Sequence, residues 1–139
     1  MCIRDSYTTK QIRTWGLGAF NNKQENVIYK SFSTEYELLA DFINWWMIED
    51  NTPEVITVWN SKFYDIPYLC RRIDRILGEK LKKRMSPWGL VTEEETTIMG
   101  RKQISYDIGG VSQLDYLDLY KKFTYKACLL YTSPSPRDS

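Results

Sequence analysis

The sequence predicts an α/β protein in which a mixed sheet carries helices on its faces. Two observations predict it. Short runs rich in β-branched and aromatic residues are separated by two longer amphipathic patterns of helical period. These segments follow the order strand, strand, helix, strand, helix, and that order packs helices onto a sheet.

The elements follow in turn. Residues 11–20 alternate, with Ile12, Thr14 and Gly16 against Arg13, Trp15 and Leu17, and read as a strand turning at Asn21-Asn22. Residues 26–32 give a second strand, so the two are expected to form a hairpin. Ser33 or Thr34 then caps a helix, with Glu35 and Glu37 in the first turn where the helix dipole favours negative charge. Leu38, Leu39, Phe42, Ile43, Trp45 and Trp46 supply its buried face, and the helix ends at residues 50–53. Residues 54–59 form a short β-branched run, read as a buried strand.

A second helix is expected over 68–77. Leu69, Ile73, Ile76 and Leu77 point inward, and Arg71, Arg72, Asp74 and Arg75 point outward. Gly78 breaks it. A short basic helix over 79–84 stops before Ser86-Pro87. Residues 95–99 and 102–108 pair as a β-hairpin around Gly100-Arg101. Residues 111–116 are a further strand, and Asp118 caps a last helix over 119–123. Four of the five tryptophans, Trp15, Trp45, Trp46 and Trp59, fall on apolar faces and read as core.

The two ends read differently. Met1-Cys2-Ile3-Arg4-Asp5-Ser6 back-translates to ATG TGT ATA AGA GAC AG. The reverse complement of that string, in another frame, encodes Cys128-Leu129-Leu130-Tyr131-Thr132. Complementary ends of this kind look like translated sequencing-library adapters, to be set aside in any fold argument. A Ser/Pro-rich tail is the compositional alternative. The expected division is therefore 1–6 and 128–139 as adapter-derived, with 7–127 as one partial domain. About 120 residues hold one modest core and no more than one domain.

Composition narrows the chemistry. The formal net charge is +1, so net charge makes no case for nucleic-acid binding. Of three cysteines only Cys70 lies within 7–127, which gives neither a disulfide nor a zinc cluster and fits a reducing, intracellular setting. No apolar run approaches the length of a membrane span, so no membrane partner is expected. Histidine is absent, which excludes Ser-His and Cys-His nucleophilic catalysis and histidine metal sites within this chain. Chemistry here falls to carboxylates and a hard cation.

One carboxylate stands out. The strand at 54–59 breaks at Asn60, and Asp65 follows just ahead of Pro67 and the second helix. An Asp in this position with Pro in the first turn is an ordinary helix start. It is also how nucleases hold a divalent cation, and capping would fix the side chain that the metal uses. Asn60 doubles as a turn residue, and Tyr64 reads as packing beside the site. Lys80, Lys82, Lys83 and Arg84, with Arg71, Arg72 and Arg75, form a basic surface. Its plain reading is a solvated face, and its functional reading is contact with DNA phosphates.

The spacing of Asn60, an aromatic and Asp65 resembles the second exonuclease motif of family B DNA polymerases. From residue 27 to residue 125 the chain looks like the 3′→5′ exonuclease domain of T4-like bacteriophage members. The matching stretches are the Leu- and Trp-rich helix, VWNSKFYDIPYLCRRIDRILGEKLKKRMSP, and ISYDIGGVSQLDYLDLYKKF. Val58 departs from the small residue usual in that motif. The resemblance implies an RNase H-like fold, incomplete at both ends here, and proofreading hydrolysis by two Mg²⁺ or Mn²⁺ ions held by four carboxylates.

It implies Asp65 as catalytic metal ligand. The DNA-contacting residues would be Asn60 and Tyr64 together with Arg101 and Lys102, which sit on a hairpin that helps move a frayed primer end. The implied partners are a single-stranded primer 3′ end and the rest of the polymerase chain, in the cytoplasm of a host cell. The family's Asp-x-Glu and Tyr-x-x-x-Asp motifs have no match in this sequence and are expected beyond its two junctions. One carboxylate cannot satisfy a near-octahedral cation, so the chain alone is expected to be inactive. Two other readings remain: a stand-alone exonuclease of the same carboxylate superfamily, and a non-catalytic nucleic-acid-binding or interaction module on the same fold.

Overall fold

In the computed structural model the described residues are 2–5, 10–21 and 23–125. The remainder of the expected adapter segments, including all of 128–139, lies outside them. In chain order the elements are β1 (Cys2–Asp5), β2 (Ile12–Leu17), β3 (Val27–Phe32), α1 (Glu35–Trp46), a 3-10 turn (Glu49–Asn51) and β4 (Val55–Val58). Then come α2 (Asp65–Leu77), α3 (Glu79–Lys83), β5 (Val91–Ile98), β6 (Arg101–Ile108), β7 (Ser112–Asp115), α4 (Tyr116–Tyr120) and a π turn (Lys121–Tyr125). The architecture is mixed α/β. The described strands form three small sheets, β1-β2-β3, β4-β7 and β5-β6, rather than one continuous sheet.

Packing begins with α1. Thr34 caps it, its hydroxyl accepting from the Glu37 amide at 3.4 Å, and Leu38, Leu39, Phe42, Ile43 and Trp46 form the buried face. This stripe rests on β2, β3 and α2. Trp15 of β2 is 1% exposed. Its ring meets Phe42 edge to face at 5.2 Å, and its indole N–H donates to Asp41 at 2.7 Å. On α2, Ile66, Pro67, Cys70 and Ile73 face the same core. Tyr106 and Ile108 of β6 and Met85 complete it. Trp46 Nε1 donates to the Met85 carbonyl at 2.8 Å, tying α1 to the turn after α3.

Four expectations change. The strands β2 and β3 pair in parallel, Ile12 opposite Val27, rather than as a hairpin. Residues 18–26 span about 30 Å when extended, against about 20 Å for a six-residue strand, so the link is long enough to run back beside it. The strand β4 is largely exposed rather than buried, because its hydrogen-bonded neighbour among the described residues is β7 alone. Trp59 is likewise more than half exposed, not core. The β5–β6 turn falls at Met99-Gly100, one residue early. Both residues take positive φ, 50° and 75°, as a two-residue primed turn requires.

Candidate functional site

The site is built where β4 and β7 end together. The two strands pair in parallel with Val58 opposite Asp115. Beyond Val58 the chain cannot continue as a strand, because Asn60 takes a left-handed φ of 57°, a region that Asn tolerates better than most residues. Asp115 is 8% exposed and holds this bend. Its Oδ1 accepts from the Asn60 amide at 2.7 Å, and its Oδ2 accepts from the Lys62 amide at 3.2 Å. Oδ1 also accepts from the Leu117 amide at 2.9 Å, so the same carboxylate caps α4. The cap expected of Asp118 therefore belongs to Asp115, because the helix begins three residues earlier than the sequence pattern placed it.

The clamped loop delivers Asp65. Ile66 donates its amide to the Ser61 carbonyl at 3.1 Å, closing the turn into α2. Ser61 is fully buried beneath it. Asp65 is the first residue of α2 rather than its cap; Tyr64 occupies the cap position without a side-chain hydrogen bond. The Asp65 carboxylate is exposed, in the first turn where the partial positive charge of the helix favours an anion. Tyr64, expected to pack, is 67% exposed. Its neighbour Phe63 lies 5.6 Å from the Lys62 ammonium.

The structure brings Asn60, Tyr64 and Asp65 into one loop and leaves Arg101 and Lys102 elsewhere. Those two begin β6 at the tip of the hairpin, next to the almost fully exposed Met99. Lys102 pairs with Glu95 at 2.8 Å, across the two strands. Neither bonds to the loop among the described residues. The other end of β6 packs on α2, where the Tyr106 hydroxyl donates to Glu93 at 2.8 Å.

Asp115 is the residue that sequence reading missed. A signal existed: an Asp closing a strand directly before a helix is a capping pattern. Its hold on residues 60 and 62 runs through backbone amides far away in sequence, which no local pattern encodes. No cluster of three or more metal-ligating side chains forms among the described residues. Both oxygens of Asp115 are already engaged, so Asp65 is the free carboxylate of the loop. One such group does not fit a two-ion centre by itself.

Behind the loop, α2 is fixed to α1 by a bidentate pair between Arg72 and Glu35, with Arg72 Nε to Glu35 Oε1 at 2.7 Å. The hydrogen bond from Arg72 holds the Glu35 carboxyl below its ordinary range. Burial of Cys70 pushes its thiol up to about 12. That thiol is packing and not a nucleophile. Among the described residues no helix is long and apolar enough to cross a membrane.

The family profile "DNA polymerase family B, exonuclease domain" matches residues 4–131. The DNA-directed DNA polymerase of Enterobacteria phage T4 is 46% identical over 102 residues, covering 73% of this chain and 11% of that protein. The corresponding enzyme of Escherichia phage RB69 is 39% identical over 101 residues, covering 73% and 11%. The DNA polymerase catalytic subunit of human herpesvirus 6A (strain Uganda-1102) is 32% identical over 108 residues, covering 75% and 10%. The chain thus matches about a tenth of the length of these relatives.

Proposed function

The chain belongs to the exonuclease domain family of the family B DNA polymerases, and on that premise we propose that it is part of a proofreading 3′→5′ exonuclease. The observation that carries this reading is the free Asp65 carboxylate, presented in the first turn of α2 by a loop that a buried aspartate locks. The substrate is a single-stranded primer 3′ end and the product a nucleoside monophosphate. Family members of this kind are metal-dependent hydrolases, and Mg²⁺ or Mn²⁺ is the ion proposed here. When bound, such ions polarise a phosphoryl oxygen and lower the pKa of water. Asp65 contributes one ligand of that centre, and the remaining carboxylates belong to chain outside this sequence.

The loop's own residues position the substrate in this reading. Asn60 and Tyr64 border Asp65 and contact the terminal nucleotide. Arg101 and Lys102, on the hairpin tip, contact the incoming strand. The parent fold is RNase H-like, which suits the parallel β4–β7 pair with α2 following it. The parent acts on DNA inside a host cell as part of a polymerase chain. Residues 1–6 and 128–139 are proposed to derive from adapter DNA, which an uninterrupted read of the source locus would test.

Asp65→Asn in the polymerase that carries this domain tests the assignment. Asn keeps the shape and loses the charge, so the Mg²⁺ midpoint for excision should rise at least about tenfold, or excision should vanish. An unchanged midpoint with unchanged excision would remove Asp65 from the metal site.

A further inference from the structure

Helix α2 carries a second feature on the face opposite the core. At about 100° per residue, Tyr64, Tyr68, Arg71 and Arg75 fall within about 60° of one another, a stripe about 16 Å long at 1.5 Å per residue. The buried side chains Ile66, Cys70 and Ile73 occupy the other side. Tyr68 is 68% exposed, as open as Tyr64. Tyrosine is usually intermediate in burial, so two open rings one turn apart leave a large apolar area in water. A recess of about 350 Å³ runs along this stripe, walled by Phe63 and Pro67 at its Asp65 end and by Arg72 at its side.

The charges are also uncommitted. Arg72 is held by Glu35, Lys82 by Asp74 at 3.5 Å and Lys83 by Glu79 at 3.3 Å. Arg71 and Arg75 have no carboxylate partner among the described residues, although Arg71 lies beside the Tyr106 hydroxyl. Flat rings followed by guanidinia without a carboxylate partner match one chemistry in particular. A single strand offers bases to stack and phosphates to pair, alternating along its length. An acidic peptide would use the guanidinia and leave the rings exposed.

We propose that the Tyr64–Tyr68–Arg71–Arg75 stripe is a track for single-stranded nucleic acid that leads the strand to Asp65. It rests on the proofreading reading for its direction, but its binding does not require metal or cleavage. The rings stack bases near the loop, and the two arginines hold phosphates farther along the helix. The plain basic surface on α3 plays no part in it.

The test uses the full chain and a fluorescein-labelled oligo-dT of about 12 nucleotides, followed by anisotropy without metal, with far-UV circular dichroism on every variant. R71Q/R75Q should weaken binding about tenfold or more and lower the slope of log K against log salt by about 1.4. K80Q/R84Q removes the same charge from exposed positions and should weaken it less than about threefold. Tyr68→Ala should weaken oligo-dT but not an abasic oligomer of equal length. Equal losses from both charge pairs, no preference for dT over the abasic strand, or no binding by a folded chain would overturn the proposal.

In the polymerase that carries the domain, R71Q/R75Q should raise the KM for single-stranded DNA and leave the kcat of excision unchanged. A fall in kcat with KM unchanged would count against a track. If R71Q/R75Q weakens oligo-dT binding while Asp65→Asn leaves excision intact, the site assignment fails and the track survives.

Discussion

The contact of α1 with α2 and the loop before α2 are held together in different ways. Between the helices, Phe42, Ile43, Trp46, Cys70 and Ile73 exclude water over a continuous surface, and many small contacts share the load. Around residues 60–65 there is little apolar burial. Val58, Trp59 and Tyr64 are open to solvent, and one buried carboxylate holds the bend. The first region resists any single loss by degrees. The second has its geometry concentrated in Asp115, and that leaves the Asp65 side chain without a hydrogen-bond partner among the described residues.

The sharpest way to break this contrast is to damage each region in turn. Phe42→Ala should destabilise the chain by about 3–5 kcal/mol, the range for deleting a large buried ring. Urea denaturation would check it, and a loss under about 1 kcal/mol would mean the helices are loosely packed.

Asp115→Ala should cost less globally, about 2 kcal/mol, since it strands part-buried amides without opening a cavity in the core. Its signature is local. The amides of Asn60, Lys62 and Leu117 should exchange roughly 30-fold faster than in the parent, while those of α1 change little. Uniform acceleration across both regions would erase the distinction between them.

A smaller effect concerns the link between the two helices. The carboxyl of Glu35 titrates below its ordinary value of 4.5 because Arg72 bonds to it. A depressed pKa in the folded state stabilises it above the unfolded value and is lost as pH falls through the folded one. The melting temperature should therefore drop below about pH 4.5, and Glu35→Gln should flatten part of that drop. Equal pH profiles for the two proteins would show the pair contributes nothing, as exposed pairs often do. Smallest of all is the response of Cys70. With its thiol at about 12 and buried, maleimide labelling at Cys70, read by peptide mapping to separate it from Cys2 and Cys128, should proceed only on unfolding. Rapid labelling of the folded chain would mean that the core is open on that side.

These regions also differ in how much of them the sequence discloses. The helices α1 and α2 carry strong 3.6-residue periodicity with a capping Thr34 and a terminating Gly78, all of it local. The β5–β6 hairpin is similarly local, and its one-residue offset reflects which of two adjacent residues, Met99 or Arg101, shares the turn with Gly100. The direction of β3 is not local. The link over 18–26 permits either a hairpin or a parallel return, and packing against α1 decides between them. For β4, a β-branched run announces a strand but not how many neighbours cover it.

At the site, Asp65 is legible from the strand–Asn–Asp–Pro pattern, and the family resemblance rests on the same residues. The partner that fixes the loop, Asp115, is not, because its ligands are main-chain amides rather than side chains of recognisable type. The exposure of Tyr64 and Tyr68 is equally invisible in sequence, where an aromatic at the start of an amphipathic helix reads as packing. Only the helix phase, with Ile66, Cys70 and Ile73 turned inward, sets those rings outward beside Arg71 and Arg75.

In the proposed reading Asp65 serves chemistry and not the fold. The most direct check is the ratio of excision to nucleotide incorporation by the parent polymerase carrying Asp65→Ala, taken with its melting temperature. The ratio should fall by at least about a thousandfold with incorporation retained and melting unchanged, as expected for losing a metal ligand at an exposed position. A ratio near that of the parent protein, or a melting point depressed as far as by Phe42→Ala, would contradict it.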